Sequence, residues 1–286
     1  MTQTITPPDA DPAPREPAPP ATRPATTGPR RWLVSGIALV AAIAAWAAVA
    51  AWIDDPILPR PLGVFERVVA ITVSGEAFTN FASSIGKIAA GFAIAMVFGL
   101  VIGFLMGFGR AKQGRVDWGR FMSSYFSLPL FVLGNMPGLT YAVFGLLIFG
   151  VGAGGPIVVS ALVALPFIAM NVAEGVRSVD GNLLAMCRAF ERNRRDVLRH
   201  LYLPALVTFV FAGVRYGFAM AWKVEALTEV FGASDGVGFM IRKAYQEFQV
   251  DDMLAWTTLF IVAMILIERG LAYLENRFFA WRKDIS

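Results

Sequence analysis

One cysteine, Cys187, and one histidine, His200, are all that the 286 residues hold of the side chains best suited to metal, redox and acid–base work. A disulfide, a zinc site or a haem pocket within one chain needs more of them, so those readings drop out and no cofactor or metal is expected. Cys187 reads instead as a small apolar side chain in a contact face. Charge is also scarce, at 16% of residues against 56% hydrophobic ones. That balance is too apolar for a soluble domain of this length and puts the chain in a bilayer.

A phosphate-cradling glycine loop is missing as well. The one Gly-Lys pair, Gly86-Lys87, is followed by Ile88 and has Phe81 where the first glycine of that loop belongs. The chain is therefore not expected to hydrolyse nucleotide, and energy for any active process must come from a partner. Gly232-Ala233-Ser234-Asp235-Gly236 does fit the G-x-S-x-G pattern of a nucleophile elbow. That elbow needs a preceding strand and a histidine partner, whereas a long apolar run precedes it here and His200 falls on the other side of the bilayer, so chance or loop geometry accounts for it.

What the sequence has in quantity is long apolar runs. A hydrocarbon core of about 30 Å takes roughly 20 residues per helical crossing. Runs of that order cover Trp32–Ile53, Ile85–Phe108, Leu128–Phe149, Pro156–Ala173, Leu206–Phe231 and Met253–Leu274. The first has no charge and the second only Lys87, near its start. The third contains Pro129 and Pro137, which a membrane helix tolerates only where neighbours satisfy the freed carbonyls, so it is placed inside the bundle. Glu268 and Arg269, near the end of the sixth, are expected to snorkel. The fold class is thus all-α, with six membrane spans.

Arginine and lysine collect before the first run (Arg15, Arg23, Arg30, Arg31), after the second (Arg110, Lys112, Arg115, Arg120), after the fourth (Arg177 to Arg199) and after the sixth (Arg277, Arg282, Lys283). By the positive-inside rule those sides face the cytoplasm, which places both ends of the chain there. Residues 1–31 are proline-rich with no apolar cluster and are expected to be a disordered cytoplasmic tail; the membrane domain covers 32–283. Arg30-Arg31 ahead of an apolar run fits a twin-arginine export signal, but five further spans make it a basic flank that sets topology.

Small residues recur every four positions at Gly91, Ala95, Gly99, Gly103 and Gly107, and again at Gly213, Gly217 and Ala221. Such stripes let helix backbones approach closely; the spacing fits both a moving pathway and ordinary bundle packing. The fifth run also carries Lys223, Glu225 and Glu229. Each intramembrane charge costs about 2.5 to 3.5 kcal/mol near the bilayer centre on insertion scales, so three facing lipid would be hard to sustain. At about 100° per residue the two glutamates share a face and Lys223 lies well away from it. One carboxylate on a wet path, with Lys223 paired to another helix or an anion, is one reading; an ion pair buried between helices is the other. Arg215 on the same run is expected to snorkel or pair locally.

Between the fourth and fifth runs, roughly residues 177–204, lies a basic amphipathic loop. It reads as two short helices: Asp180 or Asn182 caps the first, whose apolar face is Leu183, Leu184, Met186, Cys187 and Phe190; Asn193 with Asp196 caps the second, which Pro204 ends. A soluble partner could take that face into a groove, or the helix could lie on anionic lipid, and the residues fit both.

The stretch from Pro166 to Ile241, with "GVRSVD", "LYLPA", "GVRYG", "AW" and "GASDGVG" in order, resembles the inner-membrane permease of binding-protein-dependent ABC importers. It is most similar to the nitrate, sulfonate, taurine and bicarbonate branch, and "LPRPLGVFERV" fits that family's segment before the second span. The resemblance implies that the loop is a coupling segment docking on a cytoplasmic ATPase through Leu183, Leu184, Met186, Cys187, Phe190, Glu191 and Arg194. It further implies a homodimer, an extracytoplasmic solute-binding protein and import by alternating access, with no nucleic acid among the partners. The chain departs from the family's loop motif in having Ala185, Met186 and Cys187 where Glu-Ala-Ala is usual, and Glu191 in place of the turn glycine, so Asn193 or a longer turn is expected to take up the bend. An ion-coupled carrier using Glu225 and Glu229, or a non-transporting scaffold or sensor, are the other functions these residues allow.

Overall fold

The computed structural model describes residues 29–278 apart from 54, 56 and 109–117. The expectations for the proline-rich segment up to residue 28, for most of the basic connection after the second run, and for Arg282 and Lys283 lie outside the described residues. Among the described residues the chain is helical throughout, without strands. Two units are distinguished along it, one ending at Trp46 and one beginning at Ala47. In the first unit the described residues are the opening part of α1 (Pro29–Ile53), whose uncharged run from Gly36 is long and apolar enough to cross a membrane.

The second unit holds the remaining helices. A short helix, α2 (Pro61–Val73), starts with proline in its first turn, where the missing N–H costs nothing. Four helices there are long and apolar enough to span: α3 (Glu76–Gly107), α6 (Gly154–Arg177), α9 (Leu203–Gly232) and α11 (Val250–Phe278). Glu268 and Arg269 are exposed on α11, as snorkelling requires.

The third run is not one straight span. It divides into α4 (Trp118–Asn135) and α5 (Gly138–Phe149), whose axes are bent by 98°. Pro137 is the cause. It adopts an extended conformation (φ −59°, ψ 138°) and has no N–H to continue the ladder, so the helix stops and restarts. The carbonyl that Pro137 leaves without its N–H, Leu133 O, is satisfied: the Tyr141 hydroxyl donates to it at 2.6 Å. Pro129 stays inside α4.

α6 is the centre of the second unit, with 56% of its span buried. Both small-residue stripes close on it. A Cβ added to Gly99 would lie 2.8 Å from Ile168, and one on Gly103 would lie 2.6 Å from Ala169 O and Val172. From α9, Gly213 faces Ile168 and Asn171, and Gly217 faces Ala164. The absent side chains are what bring three backbones together around Ala164, Ile168 and Val172, all fully buried. On its other side α9 stacks Trp222 on Phe260 of α11 at 5.0 Å. Large apolar side chains such as Val97, Phe98 and Val101 on α3 remain exposed, as surfaces meeting lipid or another helix would be.

The loop after α6 forms α7 (Gly181–Ala189), α8 (Arg194–Val197) and a π-helical turn, Leu198–Tyr202, that runs directly into α9. Pro204 therefore does not end the second loop helix; it sits in the first turn of α9. The wider π turn just before it, closed by Leu203 N donating to Leu198 O, makes room for the ring that a regular α turn would exclude. On the far side of α9, α10 (Val237–Gln246) follows a four-residue turn.

Candidate functional site

Two places on the second unit gather the side chains that the sequence singled out, one at each end of α9. At the first, Asp180 caps α7, its Oδ1 accepting from Asn182 N at 2.8 Å. Asn193 Oδ1 accepts from Arg195 N at 3.4 Å and so caps α8. The bend between them falls on Glu191, whose φ of 49° is left-handed. The position that lacks the family's glycine thus adopts the glycine-like conformation itself, and Asn193 does not take up the bend. The strain is borne because Glu191 N donates to Arg188 O and Arg192 N to Cys187 O, closing the turn.

The apolar face drawn on α7 divides into two sides. Leu184 and Cys187 are half-buried beside Phe108 and Tyr202, where a cavity of about 800 Å³ separates α7 from the end of α3. Leu183, Met186 and Phe190 form an exposed edge, Phe190 being 72% exposed. Arg194 opens α8, and Glu191 is exposed. Arg177, the last residue of α6, fixes this end of the unit: its Nη2 donates to Met106 O at 3.1 Å and to Ser123 Oγ at 2.7 Å, tying α6 to α3 and α4.

At the other end of α9, Glu229 is fully buried and every contact of its carboxylate is internal. Lys87 Nζ donates to Oε1 at 2.8 Å, Ser84 Oγ lies 2.9 Å from both oxygens, and Gly238 N donates to Oε2 at 2.9 Å. Lys87 also donates to Asp235 O at 2.7 Å and pairs with the Asp235 carboxylate. The turn that follows α9 wraps around this pair. Gly236 has φ 106° and no room for a Cβ against the Glu229 carboxylate; Gly238 abuts Ala226 O and Glu229. Arg242 on α10 caps the last carbonyls of α9, donating to Val230 O at 3.1 Å and Ala233 O at 2.8 Å. The G-x-S-x-G pattern is thus a helix-to-helix turn, and the 30-residue α9 separates it from His200.

The structure brings Glu225 and Glu229 together in this buried cluster and leaves Lys223 exposed on another side of α9. Lys87, Ser84 and Asp235 belong to the cluster and were not singled out as site residues. A signal for Lys87 existed: it is the single charge in the second apolar run, and a lone intramembrane cation requires an anion. Asp235, outside the spans, is held below the usual aspartate range by hydrogen bonds from Lys87 and Ser83. Arg215 pairs at 3.6 Å with Glu275 of α11, across helices and not within its own.

An all-helical unit built on close-packed helices long and apolar enough to cross a membrane, with a basic helical loop at one end, defines a multi-pass membrane protein. Residues 99–279 match the family described as "Binding-protein-dependent transport system inner membrane component", and the chain belongs to that family of ABC transporter permeases. It is 28% identical over 80% of its length to the putative aliphatic sulfonates transport permease protein SsuC of Bacillus subtilis, covering 79% of that protein. It is 25% identical to the taurine transport system permease protein TauC of Escherichia coli, over 80% of this chain and 82% of the relative. In fold it is similar to a chain of the inward-facing MetNI methionine ABC transporter, with a TM-score of 0.57, 19% identity, and coverage of 69% of this chain and 93% of that one.

Proposed function

We propose that the chain is the membrane-crossing subunit of an ATP-driven importer that works by alternating access, with both termini in the cytoplasm and the α7–α8 loop coupled to a separate ATPase. The observation that carries this is the exposed edge of Leu183, Met186 and Phe190 on a capped helix held between α6 and α9. An apolar edge that its own chain leaves uncovered, on a loop at the basic end, suits insertion into a groove of a soluble partner. Because α7 follows the end of the central helix α6 and leads through α8 and the π turn into α9, force on the loop is passed to two packed spans. ATP hydrolysis then belongs to the partner, and an extracytoplasmic binding protein and a second copy of this chain complete the assembly.

The relatives named for sulfonate and taurine transport support a small organic anion as the solute. Lys223, exposed on α9, is the intramembrane cation available to a path formed between two copies, while Glu225 and Glu229 lie behind it and hold the helices.

The test is reconstitution. Vesicles holding this chain with its ATPase and binding protein take up a labelled alkanesulfonate only when ATP is supplied on the ATPase side. Phe190→Asp abolishes co-purification of the ATPase while membrane insertion is unchanged. Uptake driven by an ion gradient in the absence of the ATPase would overturn the reading.

A further inference from the structure

Among the described residues, three buried side-chain polar atoms have no hydrogen-bond partner: Glu225 Oε1, Trp222 Nε1 and Ser160 Oγ. They belong to neighbouring turns of the structure. Lys87 on α3 meets Glu229 on α9, and these two helices run in opposite directions, so one turn towards the basic loop takes α3 to Gly91 and α9 to Glu225. At Gly91 an added Cβ would lie 2.8 Å from Ser160 of α6. Ser160 therefore sits at the height of Glu225, and Trp222 precedes Glu225 by one turn of the same helix.

Glu225 is 1% exposed and stands one helical turn before the fully buried Glu229 on the same face of α9. The buried charged groups of this cluster are Glu229 of its own helix and Lys87 of α3, paired at 2.8 Å. Asp235 stands beyond Lys87 and shares its ammonium; α6 brings the uncharged Ser160. An ionised Glu225 would add a second enclosed anion to a cluster whose one enclosed cation is already divided between Glu229 and Asp235. Its Oε1 would also be a buried anionic oxygen with no donor, the costliest state for such a group.

The Glu229 carboxylate offers about four acceptor positions, and Lys87, Ser84 and Gly238 fill three. A neutral Glu225 satisfies the remainder. Its O–H donates into the fourth position, and the atom left without a partner is an uncharged carbonyl oxygen, which burial penalises far less.

We propose that Glu225 is a proton-binding site: at neutral pH its carboxyl carries a proton held between it and Glu229, so that Lys87, Glu229 and Glu225 form a cation, an anion and a neutral acid. The proton is a structural ligand of the junction between α3 and α9, whatever solute the chain transports. Its loss leaves two adjacent buried carboxylates opposing each other and loosens that junction.

Infrared spectroscopy of the full chain in lipid nanodiscs tests this without any transport assay. At pH 7 the wild type shows the C=O stretch of a protonated carboxylic acid, and Glu225→Gln, whose amide donates to Glu229 as the acid O–H does, lacks it. Glu225→Gln melts at or above the wild type at pH 7 and loses the fall in melting temperature that the wild type shows as the pH is raised above the ordinary glutamate range of about 4.3. No acid band in the wild type at pH 7, a band that survives in Glu225→Gln, or failure of Glu225→Gln to insert and fold would each overturn the proposal.

Discussion

Lys87 Nζ lies 2.8 Å from Glu229 Oε1, joining α3 to α9 across 142 positions of sequence, with both side chains buried. A buried pair of this kind is weak evidence for net stability, because desolvation offsets much of the attraction, but breaking one side leaves an uncompensated charge. Lys87→Met is therefore expected to cost about 3–5 kcal/mol. The double substitution Lys87→Met with Glu229→Gln recovers a large part of that loss. Thermal unfolding of the four proteins in detergent closes the cycle, and additive effects of the two substitutions would show that the contact carries no coupling.

The small-residue stripe on α3 makes a second prediction. Gly103 faces Ala169 O and Val172 with no space for a methyl group, and the neighbour on one side is backbone that cannot yield. Gly103→Val should force α3 away from α6 and destabilise the unit by about 1–3 kcal/mol or more. Gly86, which has nothing within 4 Å of an added Cβ, is the matched control: Gly86→Ala should leave the melting temperature unchanged or slightly raised.

How far the sequence revealed this structure differs from element to element. The spans were legible because burial in lipid demands long uncharged runs, a signal that needs no knowledge of neighbours. The stripes at Gly91–Gly107 and Gly213–Ala221 were equally visible, but not that both grip α6, since spacing marks a contact face and not its partner. Pro137 was visible as a disruption, yet a kink and a 98° break look alike until Tyr141 is seen to satisfy Leu133 O. Glu225 and Glu229 were placed on one face by helical period alone. A buried ion pair was one of the two readings their charge allowed, but the choice and the partner were not legible, because both depend on Lys87 arriving from a helix 142 positions away in the register that the glycines of α3 permit. The π turn ahead of Pro204 left no sequence signature, and proline there read as a stop.

Asp235 gives the structure a pH response of definite sign. Hydrogen bonds from Lys87 and Ser83 hold its carboxyl below the ordinary range, so the folded state binds its proton less readily than the unfolded chain. Its contribution is complete above the ordinary aspartate value of about 3.9 and is lost as the pH falls through the lower folded value. The Asp235 side chain is 59% exposed, so the effect is modest. Melting temperatures between pH 6 and pH 3 should fall more steeply in the wild type than in Asp235→Asn, and parallel curves would show that the Lys87 contact adds nothing.

Glu191 supplies the last prediction. A left-handed residue other than glycine carries about 1–2 kcal/mol of conformational cost, and here the φ of 49° belongs to an exposed side chain that makes no contact needed to hold the turn. The turn is closed by backbone bonds, Glu191 N to Arg188 O and Arg192 N to Cys187 O, which a glycine would keep. Glu191→Gly should relieve the strain, offset in part by the greater freedom glycine gives the unfolded chain, for a net gain of about 0.5–1 kcal/mol. The gain is local, so amide hydrogen exchange at residues 188–193 is the measurement: protection rises in Glu191→Gly if strain dominates. Glu191→Val, β-branched and poorly suited to positive φ, should lower it. If both substitutions leave exchange unchanged, the left-handed turn is not what limits opening of the loop between α7 and α8.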